Sequence, residues 1–108
     1  MRLRALVLAA VFWPACAVSQ PLHFMSGNEI YEDCTGPKGS PKYGICIGYV
    51  VGISDALNMV GSVCASTSVT VDQVIDVIVN YIRANPKYRD VPASLLAGAA
   101  LREAFPCY

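Results

Sequence analysis

Cys34, Cys46, Cys64 and Cys107 constrain this chain more than any other feature. An even set of cysteines in a small exported domain is normally spent on disulfides rather than on metal or catalysis. That reading needs export, and the N-terminus supports it. Met1 is followed by Arg2 and Arg4, then by an almost unbroken apolar run from Ala5 to Trp13, then by small residues around Ala15 and Ala17. This is the order of a secretory signal peptide. The apolar run is too short to cross a membrane, which takes roughly 20 such residues. Cleavage fits Ala15-Cys16-Ala17 or Ala17-Val18-Ser19, so 1–19 is assigned as leader and 20–108 as the mature domain, with a cut after Ala17 as the alternative. Either cut removes the fifth cysteine, Cys16. A lipoprotein with Cys16 acylated is disfavoured by its neighbours Trp13 and Pro14. The mature domain is expected in the periplasm with no membrane contact of its own.

Helical signals run through the rest. Ser26-Gly27-Asn28-Glu29 has the form of a capping box, in which the serine accepts from the first turn and the glutamate reaches back. It predicts a short helix over 27–34. The stretch 35–42, with two glycines, two prolines and two lysines, reads as a loop. From Tyr43 to about Val60 runs the most apolar stretch of the mature chain, with Gly44, Gly48 and Gly52 four residues apart. On a helix these share one face, where a neighbouring backbone could approach closely. Ser54, Asp55 and Asn58 favour a buried core helix over a membrane span, and a buried Asp55 would need a polar partner. Thr70-Val71-Asp72-Gln73 is a second capping box, opening a helix to Ala84 with Val71, Val74, Ile75, Ile78, Val79 and Ile82 as its inward stripe. Asn85-Pro86 stops it. Pro92 suits a first helical turn, with Asp90 as a cap, giving a last helix over 92–104 that ends before Pro106. The expected fold is all-α, a small compact four-helix domain stapled by two disulfides.

Helix length selects the bridges. Cys46 and Cys64 stand near opposite ends of the second helix, roughly 25 Å apart at about 1.5 Å per residue. A disulfide tolerates a Cα separation of only about 4.4 to 6.8 Å, so they cannot pair. Joining Cys34 to Cys64 would span the same helix lengthwise. Cys34 with Cys46, across one loop, and Cys64 with Cys107 remain. Each is expected to contribute roughly 3 to 4 kcal/mol through loop entropy.

Charge and residue types narrow the function. Eight Lys and Arg match eight Asp and Glu, but Arg2 and Arg4 leave with the leader, so the mature domain is slightly acidic. Nucleic acid, which needs a basic face, is not an expected partner. Zinc fails on spacing, since there is no Cys-x-x-Cys pair and His23 is the only histidine. A cysteine nucleophile would need a free thiolate beside a histidine, whereas all four mature cysteines are committed. Glu29, Glu32 and Asp33 read as a solvated helix face rather than an acid–base pair. No enzymatic activity, cofactor or metal is expected. Tyr31, Tyr43, Tyr49, Tyr81 and Tyr88 divide between core and interface. The connection 83–90, polar and carrying Arg83, Lys87 and Arg89 with Tyr88, is the segment best placed to meet a partner, because rigid scaffolds present such loops well.

Several segments together resemble the Rap/Tai immunity proteins. They are Gly27-Asn28-Glu29-Ile30 leading to Cys34, Cys46-Ile47-Gly48-Tyr49-Val50 with Gly52 and Asp55, and Tyr81-Ile82-Arg83-Ala84-Asn85-Pro86. Pro92-Ala93 and Ala100-Leu101-Arg102-Glu103-Ala104-Phe105-Pro106-Cys107 follow in order, so the resemblance covers nearly all of the mature chain. It implies a compact helical periplasmic protein, homodimeric, that occludes the active-site cleft of a peptidoglycan amidase delivered by type VI secretion. It also places the cysteines where that family carries structural bridges. The chain departs from the family pattern at Ala65-Ser66-Thr67-Ser68, where proline is usual, and near Asp90, where histidine is. Both departures fall in connections and bear on which toxin is met. The expected partner-facing residues are Asn85, Lys87, Tyr88 and Arg89. The competing expectation, from a different class, is an envelope or secreted helical scaffold with no toxin partner.

Overall fold

The structure, a computed structural model, describes residues 25–108 together with Phe12 and Pro14. The rest of the expected leader, its expected cleavage point and His23 lie outside the described residues. Four helices follow one another: α1 (Gly27–Thr35), α2 (Pro41–Met59), α3 (Val71–Ala84) and α4 (Ala93–Ala104), with a 3₁₀ turn at Pro86–Tyr88 between the last two. Among the described residues there is no strand, only an isolated antiparallel bridge between Ser26 and Pro92. The all-α, four-helix, doubly bridged architecture is therefore as the sequence predicts.

The helix starts are set by local chemistry. Both capping boxes form: the Ser26 hydroxyl accepts from the Glu29 amide at 3.2 Å while the Ser26 amide donates to the Glu29 carboxylate at 2.6 Å. Thr70 and Gln73 repeat the exchange at 3.2 and 2.8 Å. Helix α2 begins two residues earlier than expected. Ser40 caps it, accepting from the Tyr43 amide at 3.3 Å, and Pro41 occupies the first turn, where a missing N–H costs nothing. At α4 the expectation is corrected in the other direction. Pro92 is the flanking residue rather than the first turn, and no side chain caps the helix, so Asp90 does not play that role.

The helices close around one core in which Ile30, Cys46, Val50, Ile78, Ile82 and Leu101 are fully buried. The α3 stripe points inward from Ile75 to Ile82, while Val71 at its start stays 43% exposed. Cys34 pairs with Cys46 at a Cα separation of 5.0 Å, and Cys64 with Cys107 at 5.1 Å. The ends of the described domain are thereby pinned. The N-terminal segment is tied to the α3–α4 connection by Gly27 N–H to Val91 O at 2.9 Å, Asn28 N–H to Arg89 O at 2.7 Å and Ala93 N–H to Met25 O at 2.8 Å. The C-terminal end is held by the Cys64–Cys107 bridge and by Cys64 N–H to Phe105 O at 2.9 Å.

Two expectations about α2 are overturned. Its buried residues are Tyr43, Cys46 and Val50, while Gly44, Gly48 and Gly52 face outward, and a Cβ on any of them would meet no atom within 4 Å. Asp55 is exposed on the same side and needs no buried partner. Ser54 instead satisfies its hydroxyl on the Val50 carbonyl at 2.6 Å. The physical reason is that α2 is apolar nearly all round, so composition does not say which face turns inward. The buried acid among the described residues is Asp33 on α1, whereas Glu32 beside it pairs with Lys42 on the surface.

Candidate partner-binding surface

The connection between α3 and α4 is built as a stiff projection. Asn85 closes α3: its amide donates to Ile82 O at 3.2 Å and its side chain to Tyr81 O at 2.8 Å. Pro86 then starts the 3₁₀ turn, in which Tyr88 N–H reaches Asn85 O at 3.1 Å and Val91 N–H reaches Tyr88 O at 3.1 Å. Arg89 folds back under this turn. Its guanidinium donates to Ile82 O at 3.2 Å and to Arg83 O at 3.3 Å, satisfying carbonyls that the end of α3 leaves open. A cation at a helix C-terminus is also favoured by the helix dipole.

The four residues singled out from the sequence thus separate by task. Lys87 and Tyr88 are exposed, with the Lys87 ammonium 5.6 Å from the centre of the Tyr88 ring. Asn85 and Arg89 are half-buried and hold the turn in shape. Asn85 also lines a shallow groove between α3 and α4 with Asn80, Tyr81 and Glu103. Two residues outside the four expected contacts, Tyr31 and Arg83, belong to the same surface. Tyr31 on α1 lies beneath the Arg89 guanidinium at 4.7 Å, and the Arg83 guanidinium stands 6.0 Å from the same ring while donating to the Tyr31 hydroxyl at 3.4 Å. Arg83 was legible as part of a charged segment. Tyr31 was not, because it lies more than 50 positions away and only the packing of α1 beside α3 brings it in.

Two further surfaces stand out. The outward face of α2 carries the three glycines flanked by Ile45, 51% exposed, and Ile47, 39% exposed. At the opposite end from the 3₁₀ turn, an apolar groove of about 210 Å³ runs between the second half of α2, the segment 63–71 and Leu101 and Phe105 of the C-terminal end, with Asp55 its only charged lining residue. Among the described residues no three His, Cys, Asp or Glu side chains cluster closely enough to hold a metal ion, and no helix is long and apolar enough to cross a membrane. Among the described residues, every cysteine sulfur is in a bridge.

As a class, then, this is a small all-α domain with two disulfide bridges and exposed apolar and cation–aromatic surfaces. The chain belongs to the family of Rap1a immunity proteins, whose family model matches residues 26–107. That span covers both capping boxes, all four bridged cysteines and the α3–α4 connection. Searches of curated proteins and of solved structures give no match. Membership assigns the chain its general role, that of an immunity protein whose partner is a toxin.

Proposed function

We propose that the mature domain is a periplasmic immunity protein that binds a peptidoglycan amidase delivered by a type VI secretion system and blocks its active-site cleft, protecting the cell that makes it. Occlusion requires no reactive group, only a complementary surface whose shape is set before binding, so that little ordering entropy is spent on association. The observation that carries this reading is the hydrogen-bonded bracing of the α3–α4 projection. Lys87 and Tyr88 stand outward on a turn whose every anchor, from Asn85 and Arg89 to the N-terminal segment, is already hydrogen-bonded. Asn85, Lys87, Tyr88 and Arg89 are the proposed contact and support residues, the first and last acting through the turn's shape.

The leader in 1–19 supports export, and disulfides persist in an oxidising compartment such as the periplasm. A homodimer is proposed for the working form. Its support is the outward face of α2, where Gly44, Gly48 and Gly52 leave room for a second helix to approach and Ile45 and Ile47 supply apolar contact. Co-purification tests the toxin assignment. The oxidised domain is expected to retain an amidase encoded in its own genome. If the oxidised domain retains none of those amidases, the assignment is wrong and the scaffold reading replaces it.

A further inference from the structure

We infer that the α3–α4 projection is a cationic docking face, and that the toxin surface it meets is rimmed with carboxylates. The inference rests on the proposed toxin-binding function and adds the chemistry of the partner. Arg83, Lys87 and Arg89 fall within seven residues of one another. None is ion-paired, since the only ion pair among the described residues joins Lys42 to Glu32. Asp90, the one acid in the connection, is not bonded to them. Their hydrogen bonds go to uncharged acceptors: Arg83 to Asn80 Oδ1 at 2.9 Å and to the Tyr31 hydroxyl, Arg89 to two backbone carbonyls.

Aromatic rings do the positioning. Arg89 and Arg83 share the Tyr31 ring, and Lys87 lies near that of Tyr88. Such contacts orient a cation without neutralising it. The α3 carbonyls offset part of the charge on Arg89, which leaves Lys87 and Arg83 as the groups that meet the partner. Three cations without an ion-pair partner, at one end of a domain with more acidic than basic residues, form a polarised surface, and such a surface steers association with an oppositely charged one. A nucleic acid would need basic residues over a longer track than one turn provides.

The test uses the oxidised mature domain and the amidase that co-purifies with it. Affinity for the unaltered domain is expected to fall about tenfold between about 50 and about 300 mM salt. Lys87→Glu is expected to weaken binding about tenfold at low salt and to flatten that salt dependence, while Lys87→Arg retains both. An unchanged melting temperature in Lys87→Glu shows that the loss is not one of folding. Full-strength, salt-independent binding by Lys87→Glu overturns the inference and leaves the immunity function standing. No binding by the unaltered domain overturns the function and the inference together. Tight binding of a single-stranded oligonucleotide at physiological salt also overturns the inference, in favour of a phosphate partner.

Discussion

Gly27 shows how much of this fold turns on single atoms. It follows the capping serine and lies so close to α4 that a Cβ would collide with Leu96 Cδ1 and come within 2.8 Å of the Arg89 carbonyl oxygen. The collision involves backbone, which cannot swing aside. Gly27→Ala is expected to cost about 2 kcal/mol by overpacking and to loosen the α3–α4 projection, read as a lowered melting temperature and faster exchange of the Asn28 amide. A second residue-scale consequence concerns alkaline pH. Burial holds the Tyr49 hydroxyl above its ordinary value of 10.0, with a hydrogen bond to Ser94 pulling partly back. The hydrogen bond and charge of Glu32 hold Lys42 above 10.5. Once unfolded, both release their protons nearer the ordinary values. The stability they contribute is complete below pH about 10 and is lost as pH rises through the folded values. Urea unfolding at pH about 9 and about 11 should show the drop, and Tyr49→Phe should reduce it.

At the scale of the helix, α2 is the element whose role the sequence left least certain. Gly48 costs backbone entropy in mid-helix, and in the single domain it faces open space. Gly48→Ala is expected to stabilise the dilute domain by about 0.5 to 1 kcal/mol. It should also weaken self-association, because the added methyl occupies the space reserved for the second copy. Thermal melts at low concentration and sedimentation across concentrations check the two halves. Unchanged self-association would remove the face from the dimer proposal. Helix number, order and the two capping boxes were legible, because capping boxes, prolines and the α3 stripe are local signals. The Ser40 cap of α2 went unread, and Asp90 does not cap α4. Orientation of α2 was not, because a helix apolar all round has no stripe to read. One signal was present unused. Cys46 must turn toward Cys34, and Gly44 and Gly48 lie two residues to either side, about 200° round the helix at 3.6 residues per turn. The bridge itself therefore points the glycines outward. The projection was readable as a charged connection, but its 3₁₀ turn and the ring of Tyr31 beneath it depend on tertiary packing.

The whole molecule is a core of modest size held at two places by sulfur. The bridges differ in loop length and in access. Cys34–Cys46 closes 12 residues and is buried, while Cys64–Cys107 closes 43 and is exposed. Limited reduction followed by alkylation should therefore label Cys64 and Cys107 before Cys34 and Cys46, as read by peptide mass mapping. Removing the longer bridge with Cys64→Ala and Cys107→Ala together is expected to cost about 4 kcal/mol, against about 3 for the shorter. Because the projection is anchored to the N-terminal segment and the second bridge lies at the far end, losing Cys64–Cys107 should lower stability more than it lowers partner affinity at a temperature where the domain stays folded.

The most direct measurement is a titration of peptidoglycan hydrolysis by the co-purifying amidase with the oxidised domain. Blockage by a preformed surface predicts that hydrolysis falls linearly and ends near an equimolar ratio of domain to enzyme, and that Lys87→Glu shifts the end point to excess inhibitor. Hydrolysis that continues undiminished at large excess of a domain shown to be bound would contradict occlusion of the cleft.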